Sequence, residues 1–466
     1  MSYDCVIRGG TVVDGTGLSR RRADVAIRDG RIEAVGHIES RTGDARVLDA
    51  SGCIVAPGIL DVHTHYDPQL TFDPYATSSC YHGVTTTLAG NCGFSIAPVR
   101  PEGRDYLKAM FAKVEGMAPA ALDGVVWDFE SFPDYLEARR GKLGVNLACY
   151  IGHSTLRRYV MGAEGSEREA SEHEVDEMKR LVREAISAGA AGFSSSDVPT
   201  QVDGDDRPIA SRFAAKPELI ALVEAAGKAG AGSIAYLPES VIGGLDETDE
   251  ALLVELGRRS RVPIVIQGVG GRDKVDAPTA GWDRAKAFLD GAAEQGAAVV
   301  SILRTHPFDR PIDLDEGCPL YAGVFPWAEF MLLSRDEKLA KLRDPTWRDR
   351  MRHAVENPNR DPDAGSTLPP PHWDVTFVDE VTDPKHEGLL RRTIAEIAAE
   401  RGVAPADAML DLALAEDLRM KFRWENRTPA WANAVRESMK HPSMLMWISD
   451  GGAHLDRDDG SDWSSY

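Results

Sequence analysis

From Gly58 onward, short apolar runs alternate with stretches whose apolar residues recur every three or four positions, the pattern of strands and helices in successive βαβ units. Eight such runs can be read, at 59–65, 85–93, 145–153, 191–196, 233–239, 263–269, 297–306 and 443–454. Eight strands with helices between them predict an α/β fold, a closed (β/α)8 TIM barrel, in which catalytic groups gather at the C-terminal ends of the strands. Before residue 58 the pattern is different. Cys5-Val-Ile-Arg, Thr11-Val-Val-Asp and Asp24-Val-Ala-Ile are short β-branched runs separated by glycine turns, and they predict a small antiparallel sheet. The chain therefore divides into a small domain, 1–57, and a barrel, 58–466.

The stretch 307–442, between the seventh and eighth runs, is too long for one barrel helix. It carries helical patterns near 335–355, 388–401 and 404–415, and a proline-rich segment, 368–373, that ends in His372-Trp373. An insertion on the active-site side of a barrel is expected to act as a lid or binding loop. A structural excursion or an oligomer contact is the other reading.

Composition narrows the partners. The 466 residues are 43% hydrophobic and 27% charged, as in an ordinary globular protein, and the formal net charge of −21 argues against a nucleic acid or an anionic membrane as partner. A small-molecule substrate is expected, and a homo-oligomer is compatible with the composition. Met1-Ser-Tyr-Asp-Cys5 lacks a signal-peptide pattern and no apolar run reaches the ~20 residues of a membrane span, so a cytoplasmic location is expected. The six cysteines are scattered and read as free thiols.

Candidate chemistry begins at the end of the first run. In Asp61-Val-His-Thr-His-Tyr-Asp67 the two histidines lie one residue apart, so a strand places His63 and His65 on one face, where both imidazoles can hold one metal ion. Asp61 and Asp67 add carboxylates nearby. The ends of the other runs supply Cys92, His153, Ser196 with Asp197, Tyr236 with Glu239, Gln267, His306 and Asp450, a polar set that the barrel would bring to one mouth. Taken singly, each has a plainer reading: Cys92 suits a small buried position, His153 and His306 suit hydrogen-bonded core positions, and Asp450 in Asp-Gly-Gly suits a turn cap.

With these residues assembled, the chain resembles the amidohydrolase superfamily, and within it the D-aminoacylase (N-acyl-D-amino-acid deacylase) branch. The resemblance is carried by Ala56-Pro-Gly-Ile-Leu-Asp-Val-His-Thr-His-Tyr-Asp67, by Gly83-Val-Thr-Thr-Thr-Leu-Ala-Gly-Asn-Cys-Gly-Phe-Ser-Ile-Ala-Pro98, by Gly152-His-Ser-Thr-Leu-Arg157, and by His441-Pro with Ser449-Asp-Gly-Gly-Ala-His454. It implies a small β-sandwich made from both chain ends, a mobile insertion over the site, His63 and His65 as metal ligands, Cys92 as a thiolate ligand in place of the bridging modified lysine, and Asp450 as catalytic base. The family pattern continues beyond the eighth-strand aspartate into a last helix and the strands that complete the sandwich, so a C-terminal part is expected to be missing from a chain that stops at Tyr466.

Two positions depart from the family. Tyr236 and Gln267 stand where the resemblance implies metal-binding histidines, and both are poor zinc ligands; a single zinc ion on His63, His65, Cys92 and Asp450 is therefore expected rather than two. Glu239 and His306 are the candidate replacements. The resulting expectation is a metal-dependent amidohydrolase that cleaves a linear amide, an N-acyl-D-amino acid, by attack of a metal-held hydroxide with Asp450 as general base and acid. Arg157, Arg212 and Arg304 are candidates for gripping the substrate carboxylate, and His153, Tyr236, Gln267 and His306 for lining its pocket. The alternatives are hydrolysis of a cyclic amide or lactone, and a metal-poor barrel that serves as a binding scaffold.

Overall fold

The structure is a computed structural model that describes residues 3–39, 44–199, 201–205, 207–241, 245–267, 280–303, 310–315, 324, 326–357, 373–425, 429–446 and 449–453. The chain divides into two compact units, residues 1–59 with 83–85 and residues 60–82 with 86–466.

The first unit is a five-stranded sheet of β1 (Cys5–Val12), β2 (Arg21–Arg28), β3 (Arg31–Gly36), β4 (Arg46–Asp49) and β5 (Ile54–Val55), in which β1 is central. The sheet is mixed rather than antiparallel. β1–β2 and β2–β3 run antiparallel, whereas β4 and β5 lie parallel to β1 because the chain crosses over instead of turning back. Alternation explains which side is packed: Val6 and Ala26 close onto Ile38, while all four residues of β4 are exposed. Among the described residues this unit holds one sheet, where the family resemblance implied a sandwich of two.

The second unit contains the eight strands expected from the pattern, each shorter than its apolar run. They are β6 (Ile59–Asp61), β7 (Val84–Ala89), β8 (Asn146–Gly152), β9 (Gly192–Ser196), β10 (Ser233–Leu237), β11 (Ile264–Gln267), β12 (Val299–Leu303) and, after β13 to β15 of the insertion, β16 (Met444–Met446). They form one sheet in the order β16-β12-β11-β10-β9-β8-β7-β6, and the pairings from β7 to β16 are parallel. Beyond the strand ends, Thr64 bridges to Gly451, the amide of His65 donates to Gly451 O at 2.8 Å, and that of Asp450 donates to His63 O at 3.1 Å. These bonds join the first and last segments of the barrel. They also set His63, His65 and Asp450 side by side.

Helices cover the sheet because their apolar positions form a stripe. In Glu172–Ala188 the buried residues Met178, Leu181, Val182, Ala185 and Ile186 follow the three-and-four spacing. Ser171 and Glu174 close a capping box at its start, and Gly189 ends it in the left-handed conformation. The insertion folds on its own apolar centre: β13 (Arg310–Ile312), β14 (Thr376–Glu380) and β15 (Lys421–Trp424) form an antiparallel sheet, and Trp327, Phe330, Met351, Met409 and Phe422 belong to one buried cluster. The expected single helix near 335–355 is two, Arg335–Arg343 and Pro345–Glu356, because Pro345 cannot extend the first and Asp344 instead caps the second. No helix among the described residues is long and apolar enough to cross a membrane. Five cysteines are free thiols, and Cys318 lies outside the described residues.

Candidate metal centre

Two unusual backbone turns deliver the central donors. Cys92 sits in the Gly90-Asn-Cys-Gly turn after β7 with φ of 56°, and Asp450 sits in Ser449-Asp-Gly-Gly with φ of 57°. A left-handed conformation at a residue other than glycine costs about 1–3 kcal/mol and is retained where surrounding contacts hold it. Here they do. Asn91 Nδ2 donates to Leu88 O at 2.7 Å and to Thr64 O at 3.3 Å, and the Ser194 hydroxyl bonds the Gly90 carbonyl. Gly90 has φ of 73°, and a Cβ there would stand 2.2 Å from Tyr150 O, so the turn depends on glycine. Gly452 meets the same limit against His65, where a Cβ would approach the backbone to 2.8 Å.

The result is a tight cluster. Cys92 Sγ lies 3.3 Å from His63 Nε2 and 3.8 Å from His65 Nε2. Asp450 Oδ1 lies 3.5 Å from His63 Nε2 and 3.2 Å from His65 Nε2. Donors at zinc bond lengths in a tetrahedron stand about 3.3–3.6 Å apart, so these spacings match one coordination sphere. His63 and His65 are buried; Asp450, with 13% of its side chain exposed, opens toward solvent. The charge balance also calls for a cation. Burial lowers the pKa of His65, yet Glu115, Cys92 and Asp450 outweigh it and hold the imidazole well above the usual histidine range. Burial pushes the Cys92 thiol up to about 11 despite His65 beside it, a thiol that a metal ion would deprotonate.

Glu115 was not anticipated. Its Oε2 lies 3.5 Å from His65 Nε2, and His65, Glu115 and Asp450 form a second triad of donor atoms, overlapping that of His63, His65 and Cys92. It follows the helix Arg104–Val114, more than fifty positions from the His-X-His pair by chain number, with no local spacing to mark it. The one signal available was a buried-type acidic residue set between apolar Val114 and Gly116-Met117.

Other expected residues are placed elsewhere. Asp61 accepts from the Ser449 hydroxyl and Asp67 Oδ2 accepts from the Gly90 amide at 3.0 Å, so both carboxylates hold the turns rather than face the donors. Glu239 is exposed, away from a replacement ligand's place. Ser196 donates to Gln201, and it is Ser195, with Tyr236 and Gln267, that lines a cavity of ≈ 240 Å³ beside His63 and Cys92. Tyr236 directs its hydroxyl to Asp197 Oδ2 at 2.7 Å. Arg304 and His306 lie outside the described residues.

Arg157 and His153 are corrected outright as substrate contacts. Both are 0% exposed. Arg157 Nη1 donates to both oxygens of Glu218, at 2.6 and 2.5 Å, and His153 joins Glu218 Oε1 at 3.0 Å to Ser195 Oγ at 2.8 Å. An arginine so committed cannot grip a ligand. Arg212 likewise donates to Pro199 O. Burial raises the pKa of Glu218, but His153 and Arg157 more than offset it and leave it below the ordinary 4.5. Its stabilising effect is therefore present above that value and is lost as pH falls through the depressed pKa. Glu218→Gln should leave Arg157 buried without its counter-ion and lower stability by about 3–5 kcal/mol, with a flatter acid limb in urea midpoints followed from pH 7 downward. An unchanged midpoint at pH 7 would remove the pair from the barrel's support.

Comparison with known proteins now bears on what the cluster serves. The model of the Amidohydrolase family matches residues 46–458. The chain belongs to the amidohydrolase family. Within that superfamily it falls in the D-aminoacylase branch. It is 31% identical to an uncharacterized protein of Mycobacterium tuberculosis over 98% of this chain and 74% of that protein, and 36% identical to the D-aminoacylase of Alcaligenes xylosoxydans xylosoxydans over 57% of this chain and 50% of that enzyme. The solved N-acyl-D-glutamate deacylase of Bordetella bronchiseptica, in complex with zinc and a phosphonate mimic of the tetrahedral intermediate, superposes with a TM-score of 0.58 at 25% identity, covering 97% of this chain and 76% of that one. This amidohydrolase accordingly acts on carbon–nitrogen bonds other than peptide bonds, and its relatives are metal-dependent amide hydrolases.

Proposed function

We propose that the protein is a zinc-dependent deacylase that cleaves the linear amide of an N-acyl-D-amino acid, using one ion held by His63, His65, Cys92 and Asp450. The observation that carries this reading is the convergence of the four donors at 3.2 to 3.8 Å. The names of the relatives, D-aminoacylase and N-acyl-D-glutamate deacylase, support the substrate class. A count of one ion follows from the ends of β10 and β11, which offer Tyr236, engaged with Asp197, and an amide, Gln267.

When bound, zinc supplies the positive charge that polarises a scissile carbonyl and makes a water acidic enough to react near neutral pH. The protein's own groups do the rest. Asp450, the donor open to solvent, accepts the proton of the attacking water and returns it to the amide nitrogen, since an amine departs readily only when protonated. His63 and His65 are fixed by backbone bonds to the Asp450 turn, so the base and the ion's ligands keep one geometry.

The test is a substrate panel assayed with zinc-loaded protein: N-acyl-D-amino acids, their L-enantiomers, cyclic ureides and lactones. The expected result is turnover of the N-acyl-D series with a free amine as product. Preference for rings would replace the linear-amide reading, and zinc-loaded protein inert on the whole panel would return the scaffold reading.

A further inference from the structure

We propose that Glu115 is a direct ligand of the metal ion, a donor supplied by the segment after the second barrel strand and standing in for the donors absent at β10 and β11. The inference rests on the metal-centre reading above and extends it to a residue that neither the sequence pattern nor the family resemblance singles out. Its first support is position. Glu115 Oε2 is 3.5 Å from His65 Nε2 and shares a donor triad with His65 and Asp450, within the spacing of ligands on one ion.

The second support is that the placement breaks local rules. Glu115 occupies the C-cap of the helix Arg104–Val114, where its amide donates to Phe111 O. The C-terminal end of a helix carries partial negative charge and disfavours a carboxylate. Glu115 is also only 4% exposed, and burial adds the cost of desolvating an anion. Two costs fall on one residue. A divalent cation beside it offsets both, and a residue that violates helix-end preference without another gain marks a functional position.

The third support is how the chain holds it there. Gly116, at φ of 58°, turns the backbone directly after it, and Met117, buried in the main core cluster, anchors the far side of the turn. The carboxylate is thus delivered to His65 by a helix end on one side and a packed methionine on the other. Glu239, the acidic residue at the end of β10, is exposed instead.

The experiment compares zinc affinity, by competition with a chromogenic chelator, for the wild-type chain, Glu115→Gln, Glu115→Asp and Cys92→Ser, with circular dichroism as the check on folding. Glu115→Gln should bind zinc at least about tenfold more weakly, with Glu115→Asp between it and wild type. Zinc affinity equal to wild type in folded Glu115→Gln would overturn the assignment. A crystal structure of the zinc-loaded wild-type protein decides independently of any variant: a Glu115 oxygen at roughly 2.0–2.2 Å from the ion is expected, and one beyond about 3 Å overturns the proposal. The two readings fail separately. Loss of affinity in Cys92→Ser with none in Glu115→Gln rejects Glu115 alone, whereas undiminished affinity in Cys92→Ser rejects the metal centre on which it rests.

Discussion

His63→Ala/His65→Ala protein should leave purification without zinc and without deacylase activity, whereas wild type carries about one equivalent per chain. The two imidazoles are half of the proposed donor set, and each touches both Cys92 and Asp450. Without them a thiol whose pKa burial pushes up to about 11 and a carboxylate remain, too few donors to hold an ion against water. Loss of the Lewis acid removes several kcal/mol of transition-state stabilisation, roughly a 10³-fold fall in kcat/KM or more. Elemental analysis beside a thermal scan reads both parts, because an ion that binds only the native state at about 1,000 times its Kd raises stability by about 4 kcal/mol. Two equivalents in wild type would mean that residues beyond these donors build a second site; zinc retained by the double variant would reject the centre.

Asp450→Asn should keep its zinc and lose turnover, kcat falling by about 10²- to 10⁴-fold. The substitution suits the backbone, since asparagine tolerates the left-handed conformation that Asp450 adopts at φ of 57° as readily as aspartate does. It keeps an oxygen toward His63 and His65 but removes the group that can take up a proton. Stopped-assay kinetics on zinc-replete protein isolates that loss. Turnover within a few-fold of wild type would transfer the base role away from Asp450, and Glu115, the other carboxylate of the cluster, would be the next residue to test.

Much of this was legible in the sequence because it depends on local rules. Alternation with period two exposed eight barrel strands, and the same alternation put His63 and His65 on one side. Glycine around Cys92 and after Asp450 announced the left-handed turns that aim both side chains. Strand ends were read too long, since an apolar run continues into a buried turn without any change of composition. β9 shows the consequence: a register read one residue off placed Ser196 in the mouth, where Ser195 stands.

What tertiary structure alone decided was which charges meet. Arg157 reads in the sequence as a free guanidinium near a strand end, yet Glu218, from a helix two strands later, captures it in the core. Asp61 and Asp67 flank the histidines in the chain but serve Ser449 and Gly90, because strand alternation turns them away from the donors. Glu115 joined the cluster only when a helix and the first barrel strand came together in space. Local pattern fixes backbone shape and side-chain direction over a few residues. Pairing between distant charges is set by packing, where burial makes each unmatched charge costly, and no short-range spacing encodes it.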